Sequence, residues 1–218
     1  MTLKAARLIA AARIVAYPAP DPGESFARSI AAAAIRKDAV EIPMVVPMRA
    51  ARFPAQDVYA AAAARIAAHL SAGDDVAVLC EGDPFFYGSF MYLFARLAGR
   101  FPCEVVPGVS SLSACAAALT RPLTARNDVL TVIPGPLPDA ALRARIEGAE
   151  AVAIMKVGRH LPRIRSLLDA MDLTGRAGYV ERASLPDGRA MPLADAPDSA
   201  PYFSMILIYR GNDPWLTP

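Results

Sequence analysis

The chain has 218 residues, of which 55% are hydrophobic and 20% are charged, and its formal net charge is +2. A chain of this length can bury one large core or two smaller ones, and this composition excludes a disordered polypeptide. The small net charge argues against a general nucleic-acid-binding protein, because such proteins usually carry a strongly basic surface. The sequence therefore predicts a compact, folded protein.

The cysteines indicate the redox environment. Cys80, Cys103 and Cys115 are odd in number and include no Cys-x-x-Cys pair, which disfavours a disulfide framework or a zinc site. We therefore expect no metal and a reducing, cytoplasmic location. We also expect Cys80 and Cys103 to lie in strands, where a thiol behaves as a small hydrophobic group.

The start of the chain allows two interpretations. No uninterrupted apolar run approaches the ~20 residues that a membrane span requires, but the basic, alanine-rich beginning resembles a weak signal peptide. Arg13 interrupts its apolar part, and the spacing of Leu3, Leu8 and Ile9 is typical of an amphipathic helix. The sequence favours the helix.

The first half of the chain alternates predicted helices and strands. Helices are predicted at residues 3–12, 25–35, 57–70, 88–97 and 110–119, and strands at residues 14–17, 76–80 and 103–106. Residues 40–48 are predicted to form an extended segment at a sheet edge, because they contain two prolines, which cannot donate to a sheet ladder. This alternation predicts a parallel, doubly wound sheet.

The second half repeats the alternation. Strands are predicted at residues 130–133, 151–156, 177–181 and 202–209, helices at 138–147 and 161–171, and loops at 134–138 and 184–201. Thr120 to Leu123 is a proline-bearing break between the halves. We therefore predict two α/β domains, at residues 1–120 and 121–218.

Two loops of the first half carry residues suited to ligand binding. One contains Gly82 and Asp83 after the strand at 76–80, and the other contains Gly108 and Ser110-Ser111 after the strand predicted at 103–106. Such loops meet at the carboxyl edge of a parallel sheet, where ligands bind, and glycine lets the backbone approach a ligand closely. Taken singly, each motif is more often a turn or a helix cap.

Taken together, these motifs resemble a known family. The segments EGDPFFYGSFMYLFARL, VVPGVSS, PLTAR, MKVGR, YVERAS and YFSMILIYRG resemble, in this order, the tetrapyrrole (corrin/porphyrin) methylases. These are class III S-adenosylmethionine-dependent methyltransferases. Two segments most resemble the branch of the family that methylates precorrin-2 at C20, namely GDPFFYGSFMYL and PMRAARFPAQDVYAAAAARIAAHL.

The resemblance implies a two-domain fold, a homodimer and S-adenosylmethionine bound in the cleft between the domains, with S-adenosylhomocysteine as the product. Most cofactor contacts in the family are made by backbone atoms, so side-chain identity is a weak guide to them. The positions it implies for cofactor contact are Gly82, Asp83, Phe86, Ser110, Ser111, Met155, Ala183, Ser204 and Met205.

The implied substrate is precorrin-2, a tetrapyrrole with many carboxylates. Arginines are suited to hold carboxylates, and the candidates are Arg28, Arg49, Arg52, Arg121 and Arg126. A sulfonium methyl is already activated, so neither a metal nor a covalent nucleophile is required, but a base must remove a proton. The candidates for that base are Glu81, Asp83 and Tyr87.

The sequence departs from the family pattern at its start. Family members begin with a strand and a Gly-x-Gly-Pro-Gly-Asp-Pro loop, which precede the helix that begins here near Leu3. We therefore expect the reading frame to continue upstream. Two alternatives also remain open: a methylase of the same fold that acts at another ring position or on a protein, and a non-catalytic remnant.

Overall fold

The computed structural model describes residues 1–21, 23–47 and 53–211. The chain divides into two compact units, with unit 1 ending at Ser110 and unit 2 beginning at Ser111. Within the described ranges, every helix is too short or too polar to cross a membrane.

Unit 1 is built on a parallel three-stranded sheet. Its helices α1 to α4 span Leu3–Ala11, Phe26–Ala31, Phe53–Ser71 and Phe90–Leu97, and its strands β1 to β3 span Ile14–Asp21, Val40–Pro47 and Val76–Val78. The strand order is β2-β1-β3, and Ile14 is in register with both Val40 and Val76. Parallel pairing requires a crossover between strands, which helices α2 and α3 provide.

Successive residues of β1 pack on opposite faces of this sheet, as expected for a strand. Ile14 and Ala16 belong to a core that α3 and α4 cover. Val15 and Tyr17 belong to a second core that includes residues of α1 and α2. Both faces of the central strand are therefore buried, which explains its apolar sequence.

Unit 2 is built on a mixed five-stranded sheet. Its helices α5 to α7 span Ser111–Ala118, Asp139–Glu147 and Leu161–Asp169, and its strands β4 to β8 span Leu130–Pro134, Ala151–Met155, Ala177–Glu181, Arg189–Pro192 and Ser204–Tyr209. The order is β4-β5-β8-β6-β7. Strands β4 and β5 run parallel, whereas β8 runs antiparallel to β5 and to β6. The prediction of two α/β units is confirmed.

Helices cover both faces of the second sheet. The larger core contains Ile154 of β5, Ile206 of β8 and buried leucines of α6 and α7. The smaller core contains Cys115 of α5, which packs with Met205 of β8. Because α5 packs on this sheet, it belongs to unit 2, and the division at residues 110 and 111 precedes the predicted boundary.

One strand prediction and one loop prediction were wrong. Residues 103–106 form no strand, and Cys103 is exposed; Pro102 and Pro107 bracket this segment, and neither can donate to a sheet ladder. Strand β7, conversely, lies inside the predicted loop 184–201. Its residues are mostly exposed and lack apolar alternation, so only its pairing with β6 reveals it.

Candidate functional site

The loop after β3 is held closed by one carboxylate. Asp83 Oδ1 accepts a hydrogen bond from the Phe85 N–H at 3.0 Å, and its Oδ2 accepts one from the Gly108 N–H at 2.9 Å. The bond from Gly108, followed by that from Phe85, lowers the pKa of the Asp83 carboxyl because N–H donors favour the charged form. Asp83 therefore ties together the two loops that the sequence singled out.

Both loops require glycine where they meet. Gly82 has a φ of +65°, in the left-handed region that glycine adopts without strain. A Cβ on Gly108 would collide with the carbonyl oxygen of Gly82. The loops are thus in backbone contact, although the strand predicted to lead into the second one does not form.

Aromatic side chains follow Asp83 directly. The Phe85 ring packs edge-on against Phe94, with 5.0 Å between centroids, and the Phe86 ring packs edge-on against Tyr87 at 5.1 Å. Phe85 and Tyr87 are nevertheless about half exposed. Phe86 and Tyr87 therefore contact each other within the loop that contains Asp83.

The three candidate bases differ in their surroundings. Each carboxylate oxygen of Asp83 already accepts a hydrogen bond from a backbone N–H. Its geometry therefore suits holding the two loops together better than it suits removing a proton. Glu81 is half-buried at the start of the same loop, and Tyr87 is exposed at a φ of 55°. Glu81 and Tyr87 stay predictions.

Ser110 and Ser111 stand where one unit ends and the next begins. Ser111 is the first residue of α5, and its side chain is exposed. The prediction that this serine pair marks a helix start is therefore confirmed. Its contact with a cofactor stays a prediction.

The four candidates in the second half come together at one edge of the unit 2 sheet. Met155 ends β5 and is in register with Met205 near the start of β8. Ser204 begins β8, and Ala183 follows the end of β6. Met155, Ala183 and Met205 all pack in the smaller core of unit 2.

Ser204 connects this edge to the turn after β5. Its Oγ accepts a hydrogen bond from the Gly158 N–H at 3.1 Å and donates one to the Pro201 carbonyl at 2.7 Å. The residue is 8% exposed, so these bonds satisfy a buried hydroxyl. Its side chain is therefore structural, while its backbone stays a candidate for ligand contact.

Sequence reasoning missed a buried carboxylate beside Ser204. Glu181 pairs with Ser204 across the sheet and is 3% exposed. It accepts hydrogen bonds from the Tyr179 hydroxyl at 2.5 Å and from Arg189 Nε at 2.7 Å. Burial by itself would raise the pKa of Glu181, but these two donors outweigh it and lower the pKa. The only sequence signal was a glutamate that closes an otherwise apolar strand.

The candidate substrate arginines differ in their surroundings where the structure describes them. Arg28 makes a two-pronged ion pair with Glu41, at 2.5 Å and 2.7 Å, so its geometry gives it a structural role. Arg49 and Arg52 lie outside the described residues. Arg121 and Arg126 are exposed between α5 and β4. No group of three metal-binding side chains occurs in the described ranges.

Comparison with known proteins identifies the family. A model of the tetrapyrrole (corrin/porphyrin) methylases matches residues 1–196. The chain belongs to the tetrapyrrole methylase family.

Two curated relatives cover almost the whole chain. Cobalamin biosynthesis protein CobIJ of Mycobacterium tuberculosis is 44% identical over 97% of the chain, which spans only 44% of that longer protein. Precorrin-2 C(20)-methyltransferase of Sinorhizobium sp is 42% identical over 98% of the chain and 91% of that protein.

A solved methylase shares the fold. Uroporphyrin-III C-methyltransferase from Thermus thermophilus, complexed with S-adenyl homocysteine, superposes with a TM-score of 0.63 at 23% identity. The match covers 95% of this chain and 90% of that one. The resemblance found in the sequence is therefore confirmed for both family and fold.

The contact between the two loops predicts the effect of adding one methyl group. Gly108→Ala should force the Gly82 carbonyl away and lower the free energy of unfolding by about 1–3 kcal/mol, the usual cost of overpacking. Gly99→Ala is the matched control, since a Cβ there has nothing within 4 Å. Urea unfolding measures both variants, and equal stabilities would contradict the contact.

The Arg28–Glu41 pair predicts a pH dependence of stability. Arg28, with help from Tyr17, lowers the pKa of Glu41 from 4.5 to about 2. A carboxyl whose pKa is lowered by folding stabilises fully above its unfolded value and loses that contribution as pH falls through the folded one. The free energy of unfolding should therefore fall more between about pH 5 and about pH 2.5 in the wild type than in Glu41→Gln. Identical losses would show that the pair contributes nothing.

Proposed function

We propose that this chain transfers a methyl group from S-adenosylmethionine to C20 of precorrin-2 in cobalamin biosynthesis. The observation that carries the proposal is the 42% identity to the Sinorhizobium precorrin-2 C(20)-methyltransferase, which extends over 91% of that protein. CobIJ, whose name places it in cobalamin biosynthesis, supports the same assignment.

The glycine-rich contact in unit 1 is the best candidate for part of the cofactor site. Gly82 and Gly108 leave backbone without side chains, and Asp83 fixes the path of both loops. A ligand can approach such backbone closely. We propose Gly82, Asp83, Phe86 and Ser110 as cofactor contacts, supported by the bound S-adenyl homocysteine of the Thermus relative.

Unit 2 offers a second set of contacts. Met155, Ala183, Ser204 and Met205 lie at one sheet edge, and Ser111 opens the helix that packs on the same sheet. Their partly apolar surroundings suit the adenosine portion of S-adenosylmethionine. We propose these five residues as its contacts in unit 2.

The chemistry that we propose depends on positioning. The sulfonium supplies an activated methyl group, so the protein has to hold it in line with the nucleophilic carbon, and alignment of this kind provides much of a rate enhancement. Rigid loops serve this purpose, and the Asp83 hydrogen bonds make the first loop rigid. Glu81 and Tyr87 are the proposed candidates for proton removal.

Direct assay tests the function. The purified chain should convert precorrin-2 to a C20-methylated product. The KM for precorrin-2 should rise with salt, because exposed ion pairs to its carboxylates are screened. Gly82→Val should abolish S-adenosylhomocysteine binding in calorimetry, because a β-branched residue is strained at positive φ. Methylation of another tetrapyrrole in preference to precorrin-2, or undiminished binding by a folded Gly82→Val variant, would contradict the proposal.

We also propose a homodimer and a cytoplasmic location. The high apolar content of the chain and exposed groups such as Phe85 and Tyr92 support association between copies, and the three unpaired cysteines suit a reducing compartment. Light scattering at micromolar concentration should report twice the mass of the 23.1 kDa chain. A monomer would contradict the dimer.

A further inference from the structure

The turn that follows β5 carries a group of cationic side chains outside the candidate cofactor residues. Lys156 and Arg159 are exposed, and His160 and Arg163 are partly exposed, all within eight residues of chain. Burial lowers the pKa of His160, and the charges of Arg163 and Arg159 lower it further. Both arginines therefore lie close enough to His160 for their charges to act on it.

This turn has a fixed backbone. Lys156 and Gly158 have φ values of 56° and 35°, and the Gly158 N–H is bound to the buried Ser204 hydroxyl. The His160 N–H donates to the Val157 carbonyl at 2.7 Å, and the Val157 side chain is fully buried. The cationic side chains thus extend from a rigid support.

Two acidic side chains are already paired with arginines of α7. Asp139 at the start of α6 binds Arg163, and Asp198 binds Arg165 at 3.4 Å. Arg159, in contrast, forms no ion pair with any carboxylate of the described ranges. Its charge is available to a ligand.

An exposed aromatic pair lies beside the turn. Tyr202 is 64% exposed and Phe203 is 43% exposed, and their rings pack edge-on at 5.2 Å. A Cβ on Gly158 would lie 4.0 Å from the Tyr202 Cα, so the two backbones are adjacent. Large exposed aromatic groups at one place mark a surface suited to binding.

We propose that this cationic–aromatic patch, formed by Lys156, Arg159, His160, Tyr202 and Phe203, binds the carboxylate-bearing edge of the tetrapyrrole substrate. The inference rests on the proposed function, because precorrin-2 is an anionic, conjugated molecule and the patch offers it cationic and aromatic side chains. Arginine binds a carboxylate through paired hydrogen bonds, and an aromatic ring stacks on a conjugated ring. None of the arginines singled out from the sequence lies in this patch.

The test compares Arg159→Gln and Tyr202→Leu with Arg145→Gln. Arg145 is an exposed arginine of α6 that donates a hydrogen bond to the Ala141 carbonyl and makes no ion pair with a described residue, so it controls for the loss of a surface charge. Absorbance titration measures the Kd for precorrin-2, methyl transfer measures its KM, and calorimetry measures the Kd for S-adenosylhomocysteine.

Arg159→Gln should raise the precorrin-2 Kd and KM about two- to fivefold and reduce their salt dependence. Tyr202→Leu should raise both values without changing their salt dependence, and neither variant should alter the S-adenosylhomocysteine Kd.

Several outcomes would overturn the proposal. Precorrin-2 binding equal to that of Arg145→Gln would show that the patch does not touch the substrate, and weakened S-adenosylhomocysteine binding would assign it to the cofactor instead. A lower mass in light scattering for either variant would assign it to contact between copies. A wild-type chain that binds precorrin-2 without methylating it would refute the proposed function, but the titration would still show whether the patch binds precorrin-2. A chain that does not bind precorrin-2 would refute both the proposed function and the patch.

Discussion

The arrangement of the candidate site in unit 1 depends on two hydrogen bonds that the Asp83 carboxylate accepts from backbone N–H groups. One comes from Phe85 in its own loop and the other from Gly108, which lies 25 positions further along the chain. These bonds bring the carbonyl of Gly82 against the Cα of Gly108, so no side chain fits between the loops. The same carboxylate that looked like a candidate base is therefore committed to holding the site together, and its lowered pKa keeps it charged for that purpose.

Unit 2 uses a buried polar cluster for a comparable purpose. Ser204 fixes the turn after β5 through the Gly158 N–H, and it pairs with Glu181 across the sheet. Tyr179 in turn binds Glu181, which Arg189 of β7 neutralises. A buried carboxylate is costly without partners, so this cluster requires β7 to be paired beside β6. The short, exposed strand thereby supports the sheet edge where Met155 and Met205 lie.

Some arginines form ion pairs that stabilise the fold, and others are left to bind a ligand. Arg28, Arg163, Arg165 and Arg189 all bind carboxylates of their own unit, although Arg28 looked in the sequence like a substrate contact. Arg159 pairs with no carboxylate in the part of the chain that the structure describes, and it stands on a rigid turn beside two exposed aromatic side chains. Sequence position alone cannot separate these two roles, because an arginine in a loop looks the same whether or not the fold brings a carboxylate to it.

The resemblance of the chain's motifs to the tetrapyrrole methylases predicted the family. The sequence by itself also determined the α/β alternation and the two glycine-rich loops, because apolar periodicity and turn chemistry are local properties of the chain. Gly82 and Gly108 could be identified for the same reason. The tertiary structure alone decided that Asp83 bridges those loops, that residues 103–106 form no strand, and that β7 exists only by pairing with β6. It also decided that Glu181 is buried beside Ser204. Each of these depends on residues that are distant in the chain and adjacent in space, and a hydrogen bond or an ion pair forms only when folding has brought its two partners together.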